Sequence, residues 1–241
     1  MKCVYTLSLL LWALVTTAQQ APADSLLHAQ AVRYLQQQYR KEVQENLHLF
    51  NGKEYLRSSH GVQGTPFFLT DSVLTGNVYY DGHLYEQVPL HYDLVTDDVI
   101  TQNYAQNNEL ILVPEKLQYF SLQDRLFIRI TADSTLPDFI KTGFYEQLFD
   151  GKMTVLAHYE KLARQTGSAA DNTLKYTAYN YYFVLLNGVF YRADDKSAFI
   201  SLAGNQKEAV KKFIKSNKLK FKKNKEADMV KTAAYFSQLT N

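Results

Sequence analysis

Six histidines, 24 Asp or Glu and 26 Lys or Arg are the side chains of this 241-residue chain that can move protons, hold a metal or bind an anion. The histidines do not group. His28, His48, His60, His83, His91 and His158 are scattered, and the sequence holds no HExxH, no HxH and no pair four apart on a helical stretch. The densest polar cluster is Asp81, His83, His91 and Asp93. Read as one extended run, the strand pattern puts Leu84, Val88, Leu90, Tyr92 and Leu94 on one face and His83, His91 and Asp93 on the other, solvated face. At strand rise the two histidines stand about 26 Å apart, too far to share a metal unless the chain reverses near Pro89. With Tyr80 and Tyr85, whose rings offer an apolar face and a polar tip, His83, His91 and Asp93 form a candidate ligand face for a sugar or peptide.

Covalent chemistry has little to stand on. The only cysteine is Cys3, inside a segment expected to be removed, so a thiol nucleophile, Cys-ligated zinc and disulfides fall together. GxSxG, Walker A and GxGxxG patterns are absent, which argues against serine acyl chemistry and nucleotide use. The pairs Asp97-Asp98, Asp194-Asp195 and Asp81/Asp93 supply carboxylates of the kind glycoside hydrolysis needs, but each sits where turn residues are expected. No catalytic residue, cofactor or metal site is therefore assigned.

The sharpest signal is charge. Residues 207–231 carry ten Lys against Glu208, Glu226 and Asp228, a balance of +7 in a chain whose net charge is only +2. A basic C-terminal lobe is set against a mildly acidic body. Lys211, Lys212, Lys215, Lys218, Lys220, Lys222 and Lys223 are the candidate contacts to an anionic surface. Lys2, the apolar run Leu7–Ala18 and the small residues Thr16-Thr17-Ala18 read as a secretory signal cut after Ala18. The run is shorter than the roughly 20 residues that span a bilayer. The mature chain, 19–241, is then expected outside the cytoplasm, periplasmic or extracellular, with no transmembrane helix. Export removes nucleic acid as a partner and leaves an envelope protein, a glycan or an anionic lipid surface.

These residues need a frame, and hydropathy supplies one. Residues 25–44 follow a helical period with Asp24 and Ser25 as candidate caps. From 47 to 203 the period falls to two. Asn51-Gly52, Asp81-Gly82, Asp150-Gly151 and Asn187-Gly188 lie between apolar flanks as candidate type I′ hairpin turns. The pattern predicts strands at 78–80, 83–85, 90–95, 99–102, 117–122, 126–130, 144–149, 153–158, 179–186, 189–192 and 198–202, with loops at Thr131–Pro137 and Arg164–Asn172. Beyond Gly204, Asn205 with Glu208 resembles a capping box, and two helices follow, joined by an extended link Lys218–Phe221. The expected fold is mainly β with a minor α part: an antiparallel meander forming a sandwich, curled sheet or open barrel, with one N-terminal and two C-terminal helices in a single domain.

The run Tyr79-Tyr80-Asp81-Gly82-His83-Leu84-Tyr85-Glu86-Gln87-Val88-Pro89-Leu90-His91-Tyr92-Asp93, with Leu49–Tyr55, Gly64–Phe68, Gly143–Glu146 and the Lys-rich helix pair, resembles a group of uncharacterised exported proteins of Bacteroidota-type bacteria. The resemblance covers most of the mature chain. It implies an envelope location and a β-rich fold and transfers no activity or catalytic residue.

Overall fold

In a computed structural model the described residues are 30–35, 48–57, 61–103, 107–166 and 173–239. The predicted signal segment and cleavage position lie outside them. Of the predicted N-terminal helix, residues 30–35 are described and are helical (α1). Contacts group residues 1–47 in one unit and 48–241 in a second.

The second unit is mainly β. Its strands are β1 (Lys53–Glu54), β2 (Val62–Gln63), β3 (Leu74–Tyr80), β4 (His83–Asp93), β5 (Asp98–Asn103), β6 (Asn108–Ile111), β7 (Leu117–Leu122), β8 (Arg125–Ile130), β9 (Gly143–Phe149), β10 (Met153–Thr166), β11 (Thr173–Leu186) and β12 (Val189–Arg192). They form one sheet in the order β1-β6-β5-β4-β3-β7-β8-β9-β10-β11-β12, with β2 on β11. Two meanders, β3 to β6 and β7 to β12, meet at the antiparallel β3–β7 pair. Among the described strands only β2 runs parallel to its neighbour.

The sheet is open, but it curls strongly. The backbone N–H of Lys161 on β10 donates to the Leu94 carbonyl at the end of β4, at 2.9 Å. Those strands lie five places apart in the sheet order, roughly 24 Å if the sheet were flat. Residues 65–68 fill the gap: Leu94 donates to the Pro66 carbonyl, Phe68 to that of Tyr92, and the Lys161 ammonium to the carbonyls of Thr65 and Phe67. Inside the curl the rings of Phe68, Tyr92, Phe120, Phe127, Phe144 and Tyr159 pack edge to face, tilted or stacked. Alternation sends Tyr145, Leu156 and Phe183 to the opposite face, where Ile140 packs with them. The 131–142 connection covers that second cluster, with the Tyr145 hydroxyl donating to the Lys141 carbonyl.

Helices α2 (Lys196–Leu202), α3 (Lys207–Ser216) and α4 (Lys225–Leu239) close the chain. α4 lies on β9 and β10 and buries Met229, Ala233 and Phe236. α3 packs on α4 through Phe213 stacked on Tyr235, and α2 packs on α3. The helical lobe is thus layered outward from the sheet.

Several local expectations need correction. Residues 198–202 are helix, not strand, because the Asp195 carboxylate accepts from the Ala198 N–H and caps α2. α3 begins at Lys207 behind a 3-10 turn, Gly204–Gln206, with no side-chain cap, so Asn205 and Glu208 form no capping box. The link after α3 is a turn: Lys218 sits at φ 52°, not in extended backbone. Of the four Asn/Asp-Gly pairs, Asp81-Gly82 and Asn187-Gly188 have both residues at positive φ, whereas Asp150-Gly151 and Asn51-Gly52 do not. Gly52 serves close approach instead, since a Cβ there would meet the Ile111 carbonyl oxygen at 1.7 Å. β10 runs through Thr166 and β11 starts at Thr173, so the predicted 164–172 loop begins in strand, and residues 167–172 lie outside the described residues.

Candidate functional site

The predicted ligand face does not form one face. Between the pairs Val78↔Tyr85 and Gly76↔Val88, β3 has one residue and β4 two, so β4 carries a bulge, with Gln87 at φ 56°. The bulge reverses the alternation. Leu84 becomes exposed, and Tyr85 falls on the side of Val88, Leu90 and Tyr92. His83 stays exposed beside the turn, its Nδ1 2.9 Å from the Asp81 carbonyl oxygen. Tyr80 is wholly buried, its hydroxyl accepting from the Val113 N–H.

Contrary to the expectation of a solvated face, His91 and Asp93 are also buried, because chain from outside β4 lies over them. Phe67 stacks on the His91 ring at 4.2 Å, and the Arg57 guanidinium lies 4.8 Å from the Phe67 ring centroid. The Tyr55 hydroxyl donates to Asp93 at 2.6 Å, and Asp93 also accepts from the Val95 N–H. Burial pushes the His91 pKa down, with Glu109 at 3.7 Å opposing it. These groups are packed and satisfied. The strand does not reverse at Pro89, so His83 and His91 remain at opposite ends of β4.

A second polar cluster, absent from the sequence reading, joins the sheet to α4. Glu146 on β9 accepts from the Arg125 Nε at 2.6 Å and from the Tyr159 hydroxyl at 2.6 Å. Glu226 on α4 accepts from the Arg125 Nη2 at 2.9 Å and from the Tyr159 and Tyr182 hydroxyls at 3.1 Å each. Burial raises the Glu146 pKa against the pull of Tyr159 and Arg125, and it pushes the Tyr182 hydroxyl up to about 12. Two carboxylates thus lie close together, but Arg125 fills the space between them. This is the arrangement of a docking contact rather than a cleft. No spacing rule pairs residues 125, 146, 159, 182 and 226, because sheet order brings the first four together and the packing of α4 on β9 and β10 adds Glu226.

The other carboxylate pairs do structural work. Asp97, at φ 61° in the β4–β5 turn, accepts from the Tyr92 hydroxyl and from the Phe144 N–H, tying that turn to β9. Asp194 accepts from the Tyr182 N–H and from Arg192, and Asp195 caps α2. Asp81 pairs with Lys116 at 3.0 Å, far along the strand from Asp93. Among the described residues no three His, Cys, Asp or Glu side chains converge as metal ligands.

The lysines behave differently. Lys211, Lys215, Lys218 and Lys220 converge, joined by Lys196 of α2, around an open groove of about 630 Å³. Its apolar floor is Ile200, Ile214 and Leu219. Lys212, Lys222 and Lys223 are exposed but do not line it. Lys196 escaped the sequence reading because its stretch reads as a strand; Asp195 before Ser197 and Ala198 was the available helix-start signal. No carboxylate lines the groove. Lys211 has a partner, Glu208 at 2.7 Å, whose pKa that contact lowers; the other four have no ion pair among the described residues.

Compared with known proteins, the chain matches no family model, no curated protein and no solved structure. Two features of the structure bear on function: a β body whose buried carboxylates are bonded internally and an outward cationic groove.

Proposed function

We propose that this chain is an exported, non-catalytic binding or assembly protein of the bacterial envelope, whose Lys-rich helical lobe docks the β body on an anionic lipid surface. The observation that carries this reading is the groove, where four lysines with no ion pair among the described residues and one paired lysine surround an apolar floor. Each exposed lysine close to an anionic membrane contributes about 1 kcal/mol of attraction, screened by salt. The signal-like N-terminus and the resemblance to exported proteins support the location. No helix among the described residues is long and apolar enough to cross a membrane, so attachment through a surface is the simpler geometry.

The rival readings have less support. A hydrolase acting on glycan or peptide needs two carboxyls across a cleft, and the pair that the fold brings together from distant strand and helix, Glu146 and Glu226, is bridged by Arg125 and bonded by Tyr159 and Tyr182. A carrier of an apolar ligand needs room inside the curled sheet, where Phe68, Tyr92, Phe120, Phe127 and Phe144 pack together.

The test is sedimentation of the mature protein with vesicles of phosphatidylcholine, with and without phosphatidylglycerol. Changing Lys211, Lys212, Lys215 and Lys222 to Glu should abolish binding to the anionic vesicles and leave the far-ultraviolet dichroism unchanged. Binding that survives the four reversals defeats the proposal.

A further inference from the structure

Resting on that reading, we infer that the groove between α2, α3 and the α3–α4 turn is a discrete site for the phosphate headgroup of one anionic phospholipid, with the partly exposed Leu219, backed by the buried Ile200 and Ile214, taking the first apolar carbons below the phosphate. This goes beyond attraction to a charged plane. A plane would be served equally by any lysine on the lobe; a site needs particular ones in a fixed frame.

Three observations point to a frame. First, the lysines come from three segments that the fold brings together: Lys196 from α2, Lys211 and Lys215 from successive turns of α3, and Lys218 and Lys220 from the turn. Lysine binds phosphate as a point charge, so convergence from several sides replaces the fork geometry that Arg would supply.

Second, the turn is built and locked. The Leu219 N–H donates to the Ile214 carbonyl and the Lys218 N–H to that of Lys215, closing α3 with a Schellman-type motif. In such a motif the residues around the turn make an apolar contact, and here Ile214 and Leu219 are the ones that floor the groove. The Lys220 N–H is fixed by the buried Asp228 carboxylate of α4, and Phe221 behind it packs against Phe199 of α2.

Third, Lys218 occupies the left-handed position of that motif, φ 52°, where glycine is the residue of least strain. A lysine there is disfavoured by its Cβ and gains no ion pair among the described residues. What it gains is a place for its ammonium on the groove rim. Together with the apolar floor, the unopposed positive charge fits an amphiphilic anion better than a free one.

The test compares two variants of equal charge: Lys215, Lys218 and Lys220 to Ala, and Lys212, Lys222 and Lys223 to Ala. On phosphatidylcholine vesicles containing about one-fifth phosphatidylglycerol, the groove triple should lose about 100-fold in affinity and the outer triple less than 10-fold. Lys218→Gly should weaken binding several-fold while raising the thermal midpoint by about 2 °C, so that loss of fold cannot explain loss of binding. Equal losses in the two triples overturn the site and leave the surface reading standing. Failure of the wild type to bind anionic vesicles removes the surface reading and this site with it. Full competition by millimolar inorganic phosphate would overturn the lipid and make the occupant a soluble phosphate.

Discussion

The β body and the helical lobe use charge in opposite ways. In the body each buried ionic group is answered by the fold: Glu146 by Arg125 and Tyr159, Asp93 by Tyr55 and the Val95 N–H, Asp97 by Tyr92 and the Phe144 N–H, and Lys161 by two carbonyls. In the lobe Lys196, Lys215, Lys218 and Lys220 stand on a groove rim without carboxylate partners among the described residues. Burial explains the difference. A charge taken out of water must be compensated internally, whereas an exposed one is solvated at little cost and stays available to an outside partner. Satisfied charge therefore marks architecture, and charge without an ion pair is what the docking proposal rests on.

The comparison breaks first in the body. Phe127 is fully buried among Phe68, Tyr92, Phe120 and Tyr159, and Phe127→Ala should cost about 3–5 kcal/mol in urea unfolding. A loss below 1 kcal/mol would mean that the rings do not form the load-carrying core of the curl. The contact between body and lobe comes next. Arg125 bonds Glu146 and Glu226 together, but its side chain is 28% exposed, which discounts the pair. Arg125→Met should cost about 2 kcal/mol, since it leaves Glu146 buried with only Tyr159. Amide exchange in α4 should rise with it. If α4 stays as protected as in the wild type, the helix is held by Met229, Ala233 and Phe236 alone.

Much of this frame was legible in residue order. The period-two stretches matched β7 and β12 to the residue and β5, β8 and β9 to within one residue at each end, whereas β3, β10 and β11 were drawn short, β4 was split in two, and β1, β2 and β6 went unread; the lysine run marked the lobe. What could not be read is set by contacts distant in sequence or by one inserted residue. The bulge at Gln87 reverses the alternation between Tyr85 and Val88, so a face drawn by strict alternation put Leu84 with the core, while the face holding His91 and Asp93 was read as solvated because nothing local shows what covers it. The covering of His91 by Phe67, and the meeting of Arg125, Glu146 and Glu226, follow from the curl, which no local pattern encodes. The groove was half visible: its lysines stand out, but the left-handed turn at Lys218 and the entry of Lys196 from α2 depend on how three helices stack.

The smallest expected effect is also the finest probe of internally answered charge. Burial raises the Asp97 pKa above its ordinary value, although Tyr92, His158 and the Phe144 N–H pull the other way. Between the unfolded and folded pKa values the native state holds more protons than the unfolded chain. This contribution to stability is complete below the ordinary Asp range and is lost as pH rises through the raised folded value. Asp98 and Glu146, also raised by burial, act in the same direction. Asp97→Asn keeps a side chain that tolerates φ 61°; its carbonyl can accept from the Phe144 N–H while its amide donates to the Tyr92 hydroxyl. At neutral pH the variant should stay within about 1 kcal/mol of the wild type. Urea midpoints from pH 4 to pH 8 should fall less steeply for the variant than for the wild type, by the share that Asp97 carries. Parallel curves would mean that this carboxylate ionises in the folded chain as it does in water, and the tie between the β4–β5 turn and β9 would then cost nothing to charge.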